Sequence, residues 1–132
     1  MSDARSNRSA GAKRSVNPGA DHAGQPDAII ALLTHVPDQA LARQMATHLV
    51  EQGLAACVNI LGACESIYRW QGKVETAGEI PLLIKTTWAR YPEVEAAIIR
   101  LHPYDVPEII VLGIEQGWPA YLDWIRSATA AA

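Results

Sequence analysis

The chain has 132 residues, 49% of them hydrophobic and 19% charged, and a formal net charge of -3. No apolar run approaches the roughly 20 residues that span a bilayer, so a helical membrane protein is excluded. Residues 1–26 carry four basic and two acidic side chains and the remainder seven basic and twelve acidic, so the body is acidic, lacks a basic stripe and is not built for nucleic acid.

The first 26 residues are rich in Ser, Ala, Gly and Arg and contain no leucine, isoleucine or aromatic residue. With no apolar face to fold on, they read as a disordered tail ahead of one small domain over 27–129. The spacing of Arg5, Arg8 and Arg14 is compatible with a transit peptide, but the missing apolar face favours a solubilising tail. An apolar secretory core is also missing, which points to a reducing cytoplasm and to free thiols at Cys57 and Cys64.

From Ala28 to Leu33 the chain is continuously apolar, the pattern of a strand buried on both faces. Pro37-Asp38 ends it, and Asp38 is placed to cap a helix with a stripe at Leu41, Ala42, Met45, Ala46 and Leu49 that stops at Gly53. A second apolar run, Leu54 to Leu61, continues past Gly62 into Ser66–Trp70. Gln71-Gly72-Lys73 and Thr76–Glu79 read as turns, after which the chain returns through Ile80–Thr87 to complete a long hairpin. Pro92 opens a helix with Val94, Ala97, Ile98 and Leu101 on one face, and Pro103 forces its end. A strand over Ile109–Ile114 and a helix from Trp118-Pro119 complete the chain. The order βαββαβ plus a C-terminal helix predicts a ferredoxin-like α+β sandwich with an extended hairpin. That hairpin and the aromatic residues Tyr68 and Trp70 are more than one small domain can cover, which predicts an oligomer.

Five blocks carry a resemblance: Leu54–Ile60, Tyr68–Lys73, Leu83–Thr86, His102–Ile109 (His-Pro-Tyr-Asp-Val-Pro-Glu-Ile) and Tyr121–Ile125. In this order and spacing they resemble the CutA family, the divalent-cation tolerance proteins. The resemblance implies a ferredoxin-like subunit, an interlocked homotrimer similar in shape to the PII signalling proteins, a cytoplasmic setting in bacteria and a role in tolerance to copper and other divalent cations. In some relatives a cysteine at the end of the first strand joins a histidine in binding copper. Thr34 occupies that position here, and Thr34 is a poor copper ligand.

The candidate metal ligands are His102, Asp105, Glu108 and Cys57, a mixed nitrogen, oxygen and sulfur set. Each also has an ordinary structural role open to it: His102 at the carbonyl end of a helix, the carboxylates on backbone donors or cations, and Cys57 as a small strand residue. Trp70, Lys85 and Tyr104 are the candidate contacts of a small ligand, with Trp70 as a stacking surface and Lys85 holding an anion. His35 and His48 read as solvated side chains. The leading expectation is a homotrimer binding metal or a small ligand between subunits. The alternative is a PII-like signalling or scaffold trimer that binds a small anion or a partner protein without metal. No nucleophile elbow or phosphate loop is present, so no enzymatic activity and no required cofactor are expected.

Overall fold

A computed structural model describes residues 24–131, so the expected N-terminal tail falls mostly outside the described residues. The elements run β1 (Ile29–Val36), α1 (Gln39–Glu51), β2 (Cys57–Ile60), β3 (Cys64–Trp70), β4 (Lys73–Thr87), a 3-10 turn (Trp88–Arg90), α2 (Tyr91–Leu101), β5 (Ile110–Gly113) and α3 (Pro119–Ala128). The strands form an antiparallel sheet in the order β2-β4-β1-β5, with β3 pairing the first half of the 15-residue β4. This is the expected ferredoxin-like arrangement. No helix among the described residues is long and apolar enough to cross a membrane.

Local chemistry fixes the helix ends. Asp38 is extended and accepts the Leu41 amide at 2.8 Å, satisfying one of the free donors at the start of α1. At the other end Gly53 takes φ of 69°, Gly53 N–H bonds Val50 O and Leu54 N–H bonds Leu49 O, the paired closure of a Schellman motif. Both α2 and α3 carry proline in the first turn, where the missing N–H has no partner to lose.

The sequence pattern misplaces one turn. Thr76–Glu79 is strand, paired with Cys64 through Ile67 of β3, and only Gln71 and Gly72 turn the chain. Those two residues have φ of 50° and 80°, the geometry of a two-residue hairpin whose twist matches its flanking strands. The local preference of Thr-Ala-Gly for a turn yields to the ladder on β3. The second strand is also shorter than the apolar run, because Leu54 and Ala55 close α1 and, past the Leu61 N–H bond to Pro81 O, Gly62 and Ala63 interrupt the pairing with β4.

The core lies between one sheet face and helices α1 and α2. Ile30, Leu32 and Val36 of β1, Leu82 and Ile84 of β4, Met45 and Leu49 of α1, and Val94 and Ile98 of α2 are at most 2% exposed. Burial of each such side chain contributes about 1.5–3 kcal/mol before chain entropy is counted. The opposite face is covered only in part: α3 packs on β1 and β4, where Ile29, Ala31 and Ile125 are buried outside that core.

Candidate functional site at the end of the first strand

His102 follows the last turn of α2, and Pro103 bars the helix from continuing. The residue is 6% exposed and both ring nitrogens meet backbone groups: Nε2 lies 2.6 Å from His35 O, and Nδ1 accepts the Tyr104 amide at 3.1 Å. Accepting at Nδ1 assigns the proton to Nε2 and makes the ring neutral in this network. The sheet explains why the His35 carbonyl needs a side-chain donor. Ile114 N–H bonds Ile29 O across the β1–β5 boundary, so by alternation the odd-numbered residues of β1 direct their polar groups toward β5. The last β1–β5 pair is Leu33 with Ile110, which leaves His35 beyond the end of the ladder. His102 supplies the donor that the short β5 does not.

Tyr104 extends this corner into the hairpin. Its ring stands 4.6 Å from that of His102, and its hydroxyl donates to Glu79 Oε2 at 3.2 Å. The other carboxylate oxygen of Glu79 accepts the Ser66 hydroxyl at 2.6 Å. Glu79 is only 4% exposed and pairs with no cation among the described residues. Two neutral hydroxyls satisfy part of its hydrogen-bonding capacity and none of its charge, and a buried charge without a counter-charge is costly. Nearby, Glu108 Oε1 lies 3.1 Å from His35 Nδ1, within ion-pair range but not aligned as a hydrogen bond. His35 is therefore partly buried at this corner, contrary to the solvated role expected of it. His48 is also half-buried and takes a contact of 3.1 Å from Arg100 Nη2.

His102, Tyr104 and Glu108 thus gather at one corner, with the exposed Asp105 beside them. Cys57 does not join them within one chain. It pairs with Lys85, four residues along β4 from the Pro81 that faces His35, a separation of roughly 13 Å along the strand alone. Its thiol instead faces Asn59 Oδ1 at 3.7 Å. Among the described residues no three His, Cys, Asp or Glu side chains are arranged to hold a metal ion, so the donors of a single chain do not fit a closed metal site. Thr34 is fully buried with its hydroxyl unpartnered.

The ligand candidates are dispersed as well. Trp70 sits at the hairpin tip opposite Lys73, roughly 20 Å along β4 from Glu79. The Lys85 ammonium lies 5.7 Å from the centre of the Tyr121 ring, a cation–π contact that anchors α3 to β4. Glu79 and Ser66 went unmarked as site residues. Reading Gln71-Gly72 as a two-residue turn would have revealed them, because that register places Cys64 opposite Glu79 and Ser66 diagonal to it on the same face.

An apolar surface is open along β5 and α3, with its Ile110 end close in the chain to this corner. Ile110, Leu112 and Ile114 on or after β5, and Trp118, Tyr121 and Trp124 on α3 or at its start, are 37–75% exposed. Isolated exposed apolar residues are ordinary, but six on adjoining elements form a surface that ordinarily meets another molecule.

Comparison with known proteins agrees with both fold and sequence blocks. The family model described as CutA1 divalent ion tolerance protein matches residues 30–128. The chain is 49% identical over 100 residues to the divalent-cation tolerance protein CutA of Thermus thermophilus, covering 76% of this chain and 96% of that one. A solved divalent cation tolerance protein (Cut A1) from Thermus thermophilus superposes with a TM-score of 0.76 at 47% identity, over 77% of this chain and 99% of that one. A solved CutA from Archaeoglobus fulgidus, described as a periplasmic divalent cation tolerance protein, gives 0.74 at 34% identity, over 76% and 98%. With nearly the whole folded region matched, the chain belongs to the CutA1 divalent ion tolerance family.

Proposed function

We propose that this protein acts in divalent-ion tolerance as a cytoplasmic homotrimer that binds a metal ion, copper or a similar cation, or a small ligand in clefts between its subunits. The observation that carries this reading is Glu79, a buried carboxylate with two hydroxyl donors and no cation among the described residues, in a subunit that also presents an open apolar face. Packing copies on that face would cover Ile110, Leu112, Trp118 and Trp124 and bring a second chain to the same corner. Asp105, Glu108 and Glu79 offer oxygen donors to a cation. His102 adds a nitrogen only by giving up one of its two backbone contacts. Cys57 adds sulfur only from a different copy. Trp70, Lys85 and Tyr104 are the groups that would hold an organic ligand across the boundary. The distance between Cys57 and the His102 corner favours binding over nucleophilic catalysis, and two free cysteines suit a reducing compartment.

Calorimetric titration of the intact protein with Cu(II), Cu(I) and Zn(II) tests the metal part. The reading predicts saturable uptake at micromolar ion, weakened in Glu108→Gln and Glu79→Gln. Absence of uptake by the unaltered protein at that concentration overturns it and leaves a small organic ligand as the occupant.

A further inference from the structure

On the helical side of the domain, away from the open sheet face, a cleft of about 410 Å³ lies between α1 and α2. His48 lines it from α1 and Gln52 from the C-cap of that helix, and Arg90, Glu93 and Arg100 from α2 and the turn before it. The two arginines differ in how their charge is met. Arg90 donates through Nη1 to Glu93 at 2.7 Å and through Nε to Thr129 O at 2.8 Å. Arg100 meets no carboxylate within ion-pair distance among the described residues, and its contact in the cleft is His48 Nε2, 3.1 Å from Nη2.

A guanidinium keeps its proton, so the Arg100–His48 contact is a cation donating to the lone pair of a neutral imidazole. Such an acceptor fixes the direction of the guanidinium and leaves its charge uncompensated. On a body with seven basic and twelve acidic residues, this makes the cleft a local cationic site with one side of the guanidinium fork held in place. The fork matches two oxygens of a carboxylate or phosphate, and the Gln52 carboxamide at the C-cap of the facing helix adds further donors. The volume falls within the range that holds small molecules.

We propose that this cleft is a second binding site, for the oxyanion of a small phosphate- or carboxylate-bearing molecule, with Arg100 as the anchoring charge and His48 as the positioning residue. It is independent of the metal reading. It lies on the layer opposite the face that other copies would cover, so assembly leaves it accessible.

The arginine Nε–H, Gln52 side-chain amide and His48 ring signals of the ¹⁵N-labelled full chain are followed during titration with sodium phosphate, and separately with sodium acetate, at constant ionic strength. Arg100 is expected to respond saturably in the millimolar range. Arg100→Gln, at an exposed helix position that tolerates substitution, should weaken the remaining response at Gln52 and His48 at least about tenfold, the loss of one charge-assisted hydrogen bond. His48→Phe should weaken it several-fold, and His48→Gln, which restores an acceptor, should recover part of that loss. Arg43→Gln, on an exposed position outside the cleft, should change nothing. A response to phosphate alone assigns a phosphate ligand, and an equal response to acetate assigns a carboxylate. No saturable response to either anion, or one that survives Arg100→Gln unchanged, overturns the site.

Discussion

Replacing His102 separates a ligand from a structural residue. His102→Ala removes the donor to His35 O and the acceptor of Tyr104 N–H, both in a corner where His102 and Tyr104 are 6% exposed. A buried backbone group left unsatisfied costs about 1–3 kcal/mol, and two such groups plus the lost ring volume give about 3–6 kcal/mol. His102→Asn supplies a carbonyl oxygen near the position of Nδ1, so it should keep the Tyr104 contact and recover about 1–2 kcal/mol of that loss. Urea unfolding at one fixed protein concentration reads all three proteins, with the slope checked for constancy. A loss below about 1 kcal/mol for His102→Ala, or no difference between the Ala and Asn variants, would refute the assignment of His102 to the backbone of this corner.

Thr34→Val replaces an unpartnered buried hydroxyl by a methyl group of similar size and should stabilise the protein by about 1 kcal/mol; a lower melting temperature would reveal a hidden partner for the hydroxyl. Asp38→Ala removes the cap on α1 and should cost about 1 kcal/mol, with helical circular dichroism otherwise retained. The Tyr91 phenol, raised to about 12 by burial and by its 2.5 Å hydrogen bond to Glu95, should ionise well above the ordinary tyrosine value of about 10 in an ultraviolet titration. Because the folded value lies above the unfolded one, its stabilisation is complete below about pH 10 and disappears as pH rises through about 12. Tyr91→Phe should therefore flatten the alkaline loss of stability, and an unchanged profile would contradict the link.

The parts of this molecule that obey local chemistry were legible in its sequence. Asp38, Gly53, Pro92, Pro103 and Pro119 each mark a helix boundary through a cap, a left-handed φ or a missing N–H, and the apolar spacing identified the buried face. Thr76–Glu79 was misread because Ala and Gly weaken a strand locally, whereas its conformation is set by pairing with β3 across the hairpin. The Ser66–Glu79–Tyr104 group was hidden for a related reason. Its members lie 13 and 25 residues apart and meet only once hairpin register and the α2–β5 connection are both fixed. The His102 segment was recognisable by composition and family resemblance, but its attachment to the unpaired carbonyl of His35 follows from where β5 begins.

The proposed site is completed by a second copy of the chain on the open face of β5 and α3. Static light scattering at micromolar concentration measures this most directly. The predicted mass is three times the 14.3 kDa of one chain. A monomer of 14.3 kDa would leave the exposed apolar face and the buried carboxylate of Glu79 without the partner proposed for them, and would contradict the account.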